Sequence, residues 1–90
     1  MAVYIVTYDL TAPSKDYAPL LEAIRKYTNC YALKSAFFVD TLQDPATIRE
    51  NLMRFLDLSD KLYVMNITRD WKSAHPDPAT EWLLSPLRTF

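Results

Sequence analysis

The run Val3-Tyr4-Ile5-Val6-Thr7-Tyr8-Asp9 sets the tightest limit on how this chain can fold. Val3, Ile5 and Thr7 alternate with Tyr4, Val6 and Tyr8, and both sets are substantially apolar. A half-exposed strand would alternate cleanly with polar residues, so residues 2–9 read as a strand covered on both faces. The run ends in a carboxylate, and a loop follows at Ala12-Pro13. An aspartate at the end of a first strand sits at the rim of a sheet, where a metal or substrate can reach it. Asp9 equally fits the ordinary role of a strand-end or turn residue.

Downstream, Tyr17, Leu20, Leu21, Ile24 and Tyr27 recur at helical spacing, which predicts a helix from about Asp16 to Thr28. Pro19 fits only in its first turn. Asn29, the usual substitute for glycine in a left-handed cap, is the expected stop. Cys30 to Leu42 is strand-like, with a turn at Lys34-Ser35 between a short strand at 30–34 and a stronger one at 35–42. Asp44-Pro45 pairs an N-cap carboxylate with a first-turn proline and opens a second helix, with Ile48, Leu52, Phe55 and Leu56 as its apolar face. Ser59-Asp60 breaks it, and Lys61 to Thr68 is the last strand, again apolar on both faces. Asp77-Pro78 repeats the cap-plus-proline device before a short helix through Trp82, Leu83 and Leu84.

The order is strand, helix, strand, strand, helix, strand. It predicts an α+β, ferredoxin-like βαββαβ sandwich in a single domain of residues 1–90, with a core at 2–70 and a C-terminal extension at 71–90. Two helices cover one face of a four-stranded sheet, so something else must cover the second. A second copy of the chain, giving a homodimer, is the favoured answer. The C-terminal helix with Trp71 and Trp82 could instead fold back over that face or exchange between protomers.

Composition narrows the chemistry. The chain has no glycine, which excludes a phosphate-cradling P-loop and a dinucleotide fingerprint. With one Cys and one His, a zinc site from a single chain is not expected. His75 lies in Ala74-His75-Pro76-Asp77-Pro78, which reads as an exposed loop, and Cys30 reads as a small buried hydrophobe. What remains is carboxylate chemistry, for which oxygen ligands point to Mg²⁺ or Mn²⁺. Asp40 and Asp70 are candidate second carboxylates if the fold brings them near Asp9. The net charge of −1 argues against a broad nucleic-acid surface, although Arg25, Lys26, Lys34, Arg49, Arg54 and Arg69 leave room for local phosphate contacts. No apolar run approaches a membrane span and no signal-peptide pattern opens the chain, so a cytoplasmic, membrane-free protein is expected.

Several of these motifs resemble a known family. Tyr8-Asp9-Leu10 at the end of the first strand, the helix leading to Tyr27, and Ser35-Ala36-Phe37 in the hairpin are similar to the small CRISPR-associated subunit Cas-two. Asp16-Tyr17 and Asp60-Lys61-Leu62 bring the likeness closest to its SinR-like branch. Virulence-associated protein D, a toxin ribonuclease, is a more distant relative. The resemblance covers residues 2 to 70. It departs from the family at Ala36, where valine is usual, and at Asn29, where glycines are common.

The resemblance implies a homodimeric, ferredoxin-like nuclease. Asp9 and its symmetry mate would hold Mg²⁺ or Mn²⁺ near the dimer axis for hydrolysis of RNA or DNA. It implies Asp9 as the metal ligand and catalytic carboxylate, Ser35 as a second site residue, and Tyr8 and Phe37 as flanking residues. Tyr8, Phe37 and Phe38 could stack bases, although aromatics at strand spacing usually pack in a core or interface. The alternative is a non-catalytic dimeric module that holds a protein or nucleic-acid partner in a defence, mobile-element or phage system. An acylphosphatase-type enzyme shares the element order, but Thr11-Ala12-Pro13-Ser14 offers no anion-cradling match.

Overall fold

The structure is a computed structural model that describes residues 2–12 and 15–90. Pro13 and Ser14, part of the expected loop and of the anion-loop comparison, lie outside the described residues. Seven elements follow in order: β1 (Ala2–Asp9), α1 (Ala18–Arg25), β2 (Thr28–Leu33), β3 (Ala36–Thr41), α2 (Pro45–Met53), β4 (Lys61–Ile67) and α3 (Pro78–Leu84). The strands form one antiparallel sheet in the order β2-β3-β1-β4. The chain is therefore α+β, with β1 and β3 central and β2 and β4 at the edges.

Local chemistry accounts for the helix ends. Asp44 accepts the Thr47 amide at 2.8 Å and Asp77 accepts the Thr80 amide at 2.7 Å, so both aspartate–proline pairs are N-caps as expected. These amide bonds hold both carboxyls below the usual carboxylate range. Helix α1 is shorter than its apolar spacing predicts. At its start, Asp16 accepts the Ala18 amide at 2.9 Å and stays outside the helix. At its end, Asn29 is already in β2, and no described residue has positive φ. The left-handed stop is replaced by a side chain: the Asn29 amide donates to the carbonyls of Arg25 and Tyr27 at 3.2 and 2.8 Å. The Arg25 carbonyl is one that a helix end leaves without a partner. Helix α2 also ends early, at Met53, so Phe55 and Leu56 reach the core from the following turn.

The main core lies between the sheet and helices α1 and α2. Tyr4, Val6 and Tyr8 of β1 and Phe37 and Val39 of β3 pack with Leu20, Ile24, Ile48 and Leu52. Alternation along β1 sends Val3, Ile5, Thr7 and Asp9 to the opposite face. There they meet Ala36, Phe38 and Asp40 of β3, and Tyr63, Met65 and Ile67 of β4.

That second face is covered on one half only. Residues 71–90 fold back over β2 and β3, burying Ala79 and Leu83 and stacking Trp82 on Phe38 with ring centroids 6.4 Å apart. Over β1 and β4, Tyr63 and Met65 remain 61% and 50% exposed. The apolar pattern of β4 thus belongs to an edge strand whose second face is open.

Candidate functional site

Asp9 ends β1 opposite Lys61, the first residue of β4. It is exposed, and no hydrogen bond or ion pair engages it among the described residues. The β2–β3 turn reaches the same end of the sheet. The Ser35 carbonyl accepts the Tyr8 amide and the Thr7 hydroxyl, each at 3.0 Å. Ser35 itself is exposed, and Lys34 beside it and Lys61 across from Asp9 are exposed as well. The structure therefore brings Asp9 and Ser35 to one rim, with a lysine on either side.

Tyr8 and Phe37 support this rim from within. Tyr8 points opposite to Asp9, into the main core, and Phe37 is 2% exposed. Burial pushes the Tyr8 hydroxyl up from its ordinary value, with Tyr31 adding to the rise and Arg25 opposing it. Tyr31 packs edge-on against Phe37 at 5.4 Å, and the Arg25 guanidinium lies 5.9 Å from the same ring. The exposed aromatic of this group is Tyr31, on the edge strand β2. Its outward position depends on β2 being an edge, which the sequence pattern of the strand does not reveal.

The two candidate second carboxylates lie elsewhere. Asp40 pairs in register with Val3, six residues from Asp9 and roughly 20 Å away along the strand. Asp70 follows the far end of β4, where Ile67 also pairs with Val3. Neither joins Asp9. His75 is exposed on the link to α3. Cys30 is half-buried, and burial pushes its thiol up, with Asp77 adding to the rise and Arg88 opposing it.

Asp60 has a structural importance that its place between helix and strand did not reveal. The Tyr17 hydroxyl donates to both of its oxygens at 2.8 and 2.7 Å. The amides of Thr11 and Asp57 donate at 2.8 and 2.7 Å. The Thr11 hydroxyl also donates to Ser59 at 2.7 Å. Asp60 thereby ties the loop that follows Asp9 and β1 to the turn before β4. The visible signal was the pairing of Asp16-Tyr17 with Asp60-Lys61-Leu62, two short phrases that the fold joins through Tyr17 and Asp60.

This network predicts a pH dependence. Partial burial raises the Asp60 carboxyl, but the bonds from Tyr17, Thr11 and Asp57 outweigh it and hold the group below its ordinary 3.8. A carboxyl depressed in the folded state contributes stability above its unfolded pKa and loses it as pH falls through the folded value. Asp60→Asn should therefore lower the urea midpoint at pH 7. The difference from wild type should begin to shrink as pH falls below 3.8 and go on shrinking as the folded carboxyl takes up its proton. A gap that stays constant down to pH 2 would refute this account.

As a metal ligand, Asp9 offers an unengaged carboxylate, the hard oxygen donor that Mg²⁺ and Mn²⁺ prefer. Among the described residues no group of three or more His, Cys, Asp or Glu side chains could hold a metal ion. No helix of the described residues is long and apolar enough to cross a membrane. No family model, curated protein or solved structure matches the chain.

Proposed function

We propose that this protein is a Cas-two-like homodimer of ferredoxin-like subunits that hydrolyses phosphodiester bonds in RNA or DNA with Mg²⁺ or Mn²⁺. The observation that carries this reading is Asp9: exposed, unengaged, and projecting from the same face of the sheet as the uncovered Tyr63 and Met65. Packing two copies through the β1–β4 half of that face would set two Asp9 carboxylates at one interface. Together they would hold a cation that one alone holds weakly. When bound, the ion supplies an activated water and charge stabilisation at the scissile phosphate. Lys34 and Lys61 flank the rim and would position the phosphate backbone. Ser35 would place its hydroxyl beside the same group. The sheet order β2-β3-β1-β4 supports the ferredoxin-like assignment, since each helix then links two strands separated by a third.

The test is cleavage of labelled single- and double-stranded RNA and DNA by wild type and Asp9→Asn, with Mg²⁺, Mn²⁺ or EDTA. A second reading draws on the exposed apolar patch, which is independent of Asp9. In it the dimer is a non-catalytic module holding a protein or nucleic-acid partner in a defence, mobile-element or phage setting.

Both readings require self-association through the open half-face. The double variant Tyr63→Glu with Met65→Glu should weaken the dimer at least about a hundredfold, because it buries like charges against each other across the axis. Both side chains are at least half exposed in the single chain, so the fold itself should persist. Sedimentation equilibrium reads the outcome. A variant that dimerises like wild type would place the interface elsewhere.

A further inference from the structure

Residues 71–90 meet the sheet in an unusual way. Among the described residues, every hydrogen bond and ion pair joining this segment to the sheet ends on one side chain, Asp40 of β3. The Thr89 amide donates to Asp40 at 3.2 Å, and the Thr89 hydroxyl donates to its other oxygen. The Arg88 guanidinium lies 3.6 Å away, with the two side chains 8% and 3% exposed. The remaining polar contacts close the segment on itself or on the link before it. Thr80 donates to Ser73 at 3.0 Å, and Arg69 donates to the Phe90 carbonyl at 2.6 Å.

The closed arrangement is imperfect at that anchor. Arg88 Nε and Nη1 are buried without a hydrogen-bond partner, and the guanidinium rests on the Trp82 ring 3.9 Å from its centroid. A buried ion pair offsets its desolvation only with good geometry and satisfied donors, and this one has neither. The apolar fit is also loose. A groove of about 390 Å³ runs between the sheet and the segment, lined by Ile5, Ala32 and Phe38 below and by Trp71, Ala79 and Leu83 above. The link from β4 to α3, residues 68–77, has no helix or strand.

From these observations we infer that residues 71–90 form a releasable cover, which opens as a unit about residues 68–70 while the sheet stays folded. The Asp40–Arg88 pair sets how often it opens. Release solvates the guanidinium and uncovers Phe38, extending the Ile5–Tyr63–Met65 patch toward β3. The use of that widened face by a second copy rests on the dimeric reading above; the opening itself does not.

Hydrogen exchange on the full-length protein tests the opening whether or not the protein dimerises or cuts. Amides of α3 such as Glu81, and that of its C-cap Ser85, should exchange at least about tenfold faster than those of β1 and β3, through local opening. Asp40→Asn leaves Arg88 buried without its counter-charge and should speed α3 exchange about tenfold more, with β1 unchanged. Should that variant unfold globally, Asp40→Asn with Arg88→Met decides the matter, because the asparagine Oδ1 still accepts from Thr89 while both charges are gone. Removing both charges should slow α3 exchange below the wild-type rate. A single common rate for α3 and the sheet in wild type would overturn the cover. A doubly substituted protein whose α3 exchanges as fast as wild type, or faster, would overturn the role of the pair.

Discussion

Asp9→Asn should abolish metal-dependent cleavage while leaving the protein folded and its self-association intact. Asparagine keeps the size and shape of the side chain and removes only the charge that a divalent cation needs. Asp9 makes no hydrogen bond or ion pair among the described residues, so the substitution severs nothing in the folded chain. A stability change within about 0.5 kcal/mol is expected, as for other surface positions. In a dimer both carboxylates disappear together. Losing the ion's stabilisation of the reacting phosphate, several kcal/mol, should reduce cleavage at least about a hundredfold. EDTA should reproduce the loss in wild type.

The outcomes separate cleanly. Metal-dependent cutting by wild type alone fixes Asp9 as the ligand. Equal cutting by both proteins indicates a contaminant or another site. No cutting by either, from a protein confirmed as a dimer, favours the binding module. Ser35→Ala completes the set, because the turn uses the Ser35 carbonyl and keeps its bonds to Thr7 and Tyr8 in the variant. A selective loss of cleavage there would assign the hydroxyl to the site.

What the sequence made legible was chemistry that acts over a few residues. Asp44-Pro45 and Asp77-Pro78 each announce a helix because the cap, the proline and the donating amide lie within four positions. The double-faced pattern of β1 announces a central strand, since only a strand covered on both sides tolerates Val3 and Val6 together. The same apolar pattern recurs at β4, where Tyr63 and Met65 face solvent in the single chain. Edge position is decided by pairing, not by a strand's own residues. The anchors of the fold were hidden for a related reason. Thr89 reaches Asp40 across 49 positions and Tyr17 reaches Asp60 across 43, and no spacing rule links residues so far apart. Asp40 illustrates the consequence: as a lone carboxylate it looked like a candidate ligand, yet it is held beneath Arg88 and Thr89. The exposed place of Asp9 at the end of β1 was legible because where a strand stops is a local matter.

Phe37→Ala should bring the largest loss of stability. The ring is buried at 2% exposure on β3, which is paired on both sides, with Phe37 opposite Val6 of β1 and Tyr31 of β2. A cavity costs most where its walls cannot close. Here the floor is a strand fixed by two ladders and the roof includes Leu20 and Ile24 of α1. The expected cost is about 4–5 kcal/mol, the upper part of the range for such truncations. A domain of this size has roughly 5–13 kcal/mol in all, so the variant should forfeit about a third of its stability or more. A urea midpoint lowered by less than about 1 M would show that the core closes over the gap. Phe37→Leu separates packing from a role at the neighbouring rim. If Phe37 serves only the core, cleavage by this variant should fall in proportion to the folded fraction. A deeper loss from a fully folded protein would make Phe37 a positioning residue for Ser35 and Asp9.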